Sequence, residues 1–128
     1  MICSTCKREL PAESFRPNTL PGRTRQHDTY CRECRTAYER NRSLEAKKKA
    51  IALKGGASEI CGVRGLHPAA YDFHHSDPAE KEGNIAHLLQ KSFAKALAEL
   101  AKTVLWCANC HRTFHAEETE KRHGAGAC

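Results

Sequence analysis

The stretch YDFHHSDPAEK, Tyr71 to Lys81, sets His74 beside His75 after an alternating apolar run, and LWCANCHRTFH adds His111 and His115 four residues apart. Imidazole serves both as a metal ligand and, with an ordinary pKa near neutrality, as a proton acceptor. On a helix, residues i and i+4 project from one face, so His111 and His115 can share an ion. Adjacent residues at a strand end point in different directions, so one of His74 and His75 can complete that ion's ligands while the other faces a water. A divalent ion on three imidazoles keeps positions open for water and a phosphate oxygen, and the free imidazole can take the proton of that water. The chemistry that suits this set is metal-assisted cleavage of a phosphodiester.

The chain also holds 8 cysteines. Cys3 with Cys6 and Cys31 with Cys34 form C-x-x-C knuckles, the spacing at which a tight turn aims two thiolates at one ion, and together they read as one four-thiolate zinc site. Four thiolates leave no position open for chemistry, so that zinc is structural. Cys107 and Cys110 form a third knuckle. Arg8 and Glu9 interrupt the first apolar run, so no signal peptide is expected, and no segment is long enough to span a bilayer. The expectation is a cytoplasmic, reducing setting in which thiols take zinc; the alternative is a secreted disulfide scaffold.

In order, DFHH, a helix ending in ELAK, and LWCANCHRTFH resemble the HNH endonucleases of the ββα-metal (His-Me finger) superfamily, with the layout of small phage-type members. The resemblance covers about Ile60 to Ala116, and the CSTC and CREC segment is similar to zinc fingers that precede such modules. It implies a small α+β, zinc-stabilised fold, treble-clef-like in its nuclease module. It implies that His75 is the general base and that His74, His111 and His115 hold a catalytic Mg²⁺, Mn²⁺, Ni²⁺ or Zn²⁺. In-line attack on phosphorus would then leave a 5′-phosphate and a 3′-hydroxyl. Asn109, inside CANC, takes a supporting role, fixing the loop that holds the base. Many family members carry that asparagine five residues before the knuckle, where this chain has Lys102.

The chain departs from the family at one point. Relatives carry C-x-x-C-G on the first strand, completing a second structural zinc with the later pair. Here the sequence is CGVRG, with Cys61 present and Arg64 read at the second cysteine's place. A guanidinium stays protonated and cannot ligate zinc. His67 is the candidate substitute beside Cys61, Cys107 and Cys110. Otherwise the fourth ligand is a water or Cys128, or the site is empty. The expected cofactors are thus one or two structural Zn²⁺ and a catalytic divalent ion.

Positioning these residues falls to a short chain of 128 residues, 6% aromatic and 28% charged, whose thin core calls for metal staples. The organisation expected is a zinc module over 1–35, a basic linker helix over 36–56, the nuclease module over 57–120 and a disordered tail over 121–128. Net charge is +6. Residues 1–54 carry 13 Lys and Arg against 6 Asp and Glu, whereas residues 55–128 carry 8 against 9. A surplus confined to one half suits a polyanion, and double-stranded DNA is the expected partner. Arg35, Arg40, Arg42, Lys47, Lys48 and Lys49 are the candidate backbone contacts, with Lys81 and Arg112 beside the histidines. A single active site must act twice or pair as a homodimer to sever both strands.

Within the nuclease module, EICGV and AAYDFHH read as strands joined by the turn RGLHP, with Tyr71 and Phe73 on one face and Asp72 and His74 on the other. SDPAEKEGN reads as a polar loop, Ser92 to Ala101 as a helix capped by Ser92, and the segment after CANC as a helix carrying His111 and His115. Phe93, Leu97, Leu100, Leu105 and Trp106 form the expected core. No internal repeat is legible beyond the recurrence of C-x-x-C. Two other functions fit parts of the pattern: a zinc-finger regulator that binds nucleic acid through a non-catalytic HNH-like scaffold, and a zinc-stabilised protein-interaction module.

Overall fold

The computed structural model describes residues 1–123; the expected tail lies outside them from residue 124 on, as does Cys128, while Lys121 and Arg122 belong to a helix. The chain divides into two compact units, Met1–Arg42 and a second beginning at Ser43. Among the described residues there are four α-helices and two small antiparallel sheets, and no helix is long and apolar enough to cross a membrane.

In the first unit β1 (Phe15–Pro17) pairs with β2 (His27–Cys31), so the basic segment expected to be loop is anchored at both ends by strands. The buried core here is only Cys3, Phe15 and Cys31, with Leu10, Cys6 and Cys34 against it. Helix α1 (Arg32–Leu53) starts directly after Cys31. Its polar composition agrees with a mostly exposed helix, but Ala50 and Ile51 are buried, so its last turns belong to the core of the second unit.

The second unit pairs β3 (Tyr71–His75) with β4 (Thr103–Cys107), Tyr71 opposite Cys107 and His75 opposite Thr103. EICGV is therefore not a strand, and the partner of YDFHH comes from the far side of the helices. The segment instead folds into a tight turn around Gly62, at φ +74°, which the left-handed region opens to glycine at little cost. Helix α2 (Ile85–Lys91) follows the expected loop, in the stretch before Ser92 to which the sequence reading gave no element. The side chain of Asn84 caps it, accepting the amides of Ala86 at 2.9 Å and His87 at 3.4 Å. Helix α3 (Phe93–Leu100) follows, with the Ser92 hydroxyl accepting Lys95 N–H. Its inward positions are Ala96, Glu99 and Leu100, and Leu97, expected in the core, is 44% exposed because it lies one residue round from that face. Two clusters form the core: Ala50, Ile85, Leu89, Ala96 and Leu100, and Ile51, Tyr71 and Leu105. Helix α4 (Ala108–Arg122) leaves directly from β4.

Both units are built on one frame, which the sequence reading did not detect. In the first, Cys3 N–H donates to Arg8 O at 3.1 Å and Lys7 N–H to Cys3 O at 3.0 Å, beside an Ile2–Glu9 bridge. In the second, Ser58 N–H donates to Val63 O at 3.1 Å and Gly62 N–H to Ser58 O at 2.8 Å, beside an Ala57–Arg64 bridge. Lys7 and Gly62, at the same place in the two turns, both have positive φ. Each turn is tied to a strand two residues before its end, Ser4 N–H to Thr29 O and Glu59 N–H to Leu105 O. Each strand ends on a cysteine, Cys31 or Cys107, and the next helix carries Cys34 or Cys110 as its third residue. The repeat is written in backbone hydrogen bonds, which a comparison of residue types does not see.

Candidate functional site

Three groups of side chains bring ligand atoms within 4.8 Å of one another: Cys3, Cys6, Cys31 and Cys34; Cys61, Cys107 and Cys110; and His74, His111 and His115. The sulfur spacings can be tested against zinc. A tetrahedral ion with Zn–S near 2.3 Å needs sulfurs about 3.8 Å apart. Cys6 and Cys31 Sγ are 4.0 Å apart, and Cys61 and Cys107 Sγ are 3.6 Å apart. The surroundings also favour thiolate. The Cys31 amide donates to Cys3 Sγ at 3.3 Å, and with the Cys6 and Thr5 amides it outweighs burial to bring the Cys3 thiol down to about 6. Cys34, sharing its space with the Cys31 thiol and partly buried, is pushed up to about 12. A cluster that repels its last negative charge in this way suits a cation at its centre.

In the second unit, the Val63 amide and the Ser58 hydroxyl lower Cys61 to about 7, while Cys107 and burial raise Cys110 to about 11. His67 does not join this group: its Nδ1 accepts the Ala69 amide at 3.0 Å, capping the turn Pro68–Ala70. Arg64 does not stand at a metal corner either. Its guanidinium donates to Gly55 O at 3.1 Å, and in the repeated frame it is the counterpart of Glu9.

The histidine group draws on β3 and α4. His111 Nε2 and His115 Nε2 lie 2.9 Å apart, close to the spacing of about 3.0 Å that neighbouring corners of an octahedral ion require. His111 Nδ1 is 3.0 Å from Asp72 Oδ2, the carboxylate–histidine contact that fixes a ligand's tautomer and ring orientation. Asp72 reaches α4 because it shares a strand face with His74. His74 stacks on Trp106, ring centroids 4.0 Å apart, with Phe114 edge-on at 5.1 Å. Trp106, half-buried, thus holds the His74 ring rather than filling the core. Burial, and then the neighbouring His111, His115 and His75, hold the His74 pKa below its usual value, which keeps the ring neutral and its lone pair available.

His75 points to the other side of β3. Its Nε2 lies 2.7 Å from Glu99 Oε1. Burial alone would raise Glu99, but the hydrogen bonds of His75, the Glu82 and Gly83 amides and Lys102 overcome it and bring the carboxyl down to about 2. With Glu99 ionised, the Nε2 facing it is the N–H donor of this contact. Lys102 Nζ donates to Glu99 Oε2 at 3.2 Å and to Glu80 O at 3.0 Å, so it and Glu99 fasten the loop 80–83 beside His75. Sequence reasoning gave that fastening to Asn109, which is exposed on the first turn of α4. Glu99 was missed. The available signal was its spacing, three after Ala96 and beside Leu100 on the inward face of an apolar helix, where an unpaired carboxylate would not persist.

A cavity of about 260 Å³ opens beside these groups, lined by Asp72, His75 and His111 together with Lys47, Lys81 and Asn84. Lys47, half-buried there, has its pKa lowered by burial against the pull of Asp72. The other candidate DNA contacts divide. Arg40, Arg42, Lys49 and Arg112 are exposed, and Lys48 is exposed but paired with Glu45 at 3.1 Å. Arg35 is committed within its own unit, gripping Asp28 with two bonds of 2.6 Å and lying over the Tyr30 ring. Three comparisons, with family models, with curated proteins and with solved structures, find no match for this chain.

Proposed function

We propose that the protein is a metal-dependent endonuclease of the HNH type that hydrolyses phosphodiester bonds of double-stranded DNA. The observation that carries this reading is the convergence of His74, His111 and His115 on one point beside a cavity that His75 also lines. The succession β3, β4, α4 agrees with the ββα order that the sequence resemblance implies.

A divalent cation held by the three imidazoles would supply Lewis-acid stabilisation of charge on the phosphate oxygens. The rest falls to the chain's own side chains. Asp72 keeps His111 in the tautomer that offers Nε2, and Trp106 and Phe114 hold the ring plane of His74. His75 accepts at Nδ1 the proton of an attacking water, and ionised Glu99 stabilises the imidazolium that forms. As the water oxygen bonds to phosphorus, the bond to the 3′ oxygen breaks and that oxygen takes a proton from solvent, leaving a 5′-phosphate and a 3′-hydroxyl. Lys47 and Lys81, on the cavity wall, meet the negative charge of the backbone.

The test is a plasmid-nicking assay on the purified protein with Mg²⁺, Mn²⁺, Ni²⁺ or Zn²⁺, against His75→Ala. Nicking or linearisation should require the added ion, and the variant should lose about 10² to 10⁴ in rate while keeping its fold and DNA affinity. Equal cutting by the variant removes His75 as the base. No cutting with any of the four ions removes the hydrolase reading.

A further inference from the structure

We infer that Ser58 is the fourth corner of the second metal centre, which is a zinc site of three thiolates and one hydroxyl oxygen built as S-x-x-C and C-x-x-C. The argument is internal to the molecule and independent of any nuclease activity. In the repeated frame, Ser58 stands where the first unit has Cys3. Both residues donate their amide to the carbonyl five positions on, and both accept at their carbonyl the amide four positions on. Both are followed by a cysteine three positions later, Cys6 or Cys61. The side chains match as well: Cys31 N–H donates to Cys3 Sγ at 3.3 Å, and Cys107 N–H donates to Ser58 Oγ at 3.1 Å.

Burial supports the assignment. Ser58 is 2% exposed, as Cys3 is 0% exposed, although the loop around it is largely open to solvent. Its hydroxyl accepts the amide of Cys107 at 3.1 Å, beside the three-cysteine group, and acts to lower the pKa of the Cys61 and Cys110 thiols. The frame's equivalence also removes Arg64 from the site, since the knuckle runs from residue 58 to residue 61 and ends on Cys61-Gly62. A neutral hydroxyl is a weaker zinc donor than a thiolate, so this centre should hold its ion less tightly than the four-cysteine centre.

Cadmium-113 NMR of the full-length protein tests the assignment, because the shift moves downfield with each sulfur bound. Apart from any signal far upfield from cadmium on the histidines, the wild type should give one resonance in the four-sulfur range and a second upfield of it, from three sulfurs and an oxygen. Ser58→Cys should move the second into the four-sulfur range, and Arg64→Cys should leave both in place. Ser58→Ala should weaken the second cadmium about tenfold or more in competition with a chelator. A second resonance that stays put in Ser58→Cys, or moves in Arg64→Cys, overturns the proposal. So does a Ser58→Ala protein with unchanged shift and affinity, which would give the corner to solvent.

Discussion

Glu99 accepts four hydrogen bonds with two oxygens, from His75, Lys102 and the amides of Glu82 and Gly83. It is buried at 4% exposure, and its donors alone keep it ionised. Glu99→Gln keeps size and one acceptor oxygen but removes the charge that fixes the His75 tautomer. The expected result is a fall in cleavage rate on the order of 100-fold, with DNA affinity measured in chelator unchanged. Loss of affinity and rate together would instead make Glu99 a structural residue only. At this scale the sequence exposed the candidate ligands and hid their supports. Four histidines in two patches announce themselves by type, whereas Asp72 and Glu99 act through contacts 39 and 24 residues away.

Elements built from local signals were readable, and those built from long-range pairing were not. Ser92 before an apolar-periodic run gave α3 nearly to the residue, and the Ala, Glu, Lys and Arg run gave α1. The partner of β3 could not be found locally, because β4 lies 28 residues beyond its end, across α2 and α3. Likewise EICGV has a strand's composition but a knuckle's hydrogen bonds. The corner between β2 and α1 offers an element-scale test. Arg35 grips Asp28 and, with the Tyr30 amide, holds that carboxyl below its usual range against burial. A depressed carboxyl contributes stability that is present above the unfolded value, about pH 3.9, and is lost only as pH falls through the lower folded value. Asp28→Asn should therefore cost about 1–2 kcal/mol in the first unit, by a similar amount from pH 8 to pH 5. A penalty that fades across that interval would show that the pair is not held in solution.

The two units share a frame but differ in what holds it. In the first, the buried apolar set is Cys3, Phe15 and Cys31, so its core and the cysteine group that could hold a metal are largely the same atoms. The second has its own apolar clusters, with Leu100, Leu105 and Tyr71 among their buried members and no cysteine in either. Removal of zinc should consequently separate them. Without the ion, burial of one phenylalanine, about 2 kcal/mol, cannot offset the ordering of some forty residues. Residues 43 to 123 should keep their apolar clusters when the metal is stripped. In heteronuclear NMR of the whole chain at neutral pH, a strong chelator with reductant should collapse the amide dispersion of Met1 to Tyr30 while leaving Tyr71, Phe73 and Leu105 dispersed. Zinc added back should restore the lost signals. Simultaneous collapse of both sets would mean that the second unit also depends on its metal for folding. A first unit that stays dispersed without zinc would mean that its four thiols are held by packing rather than by an ion.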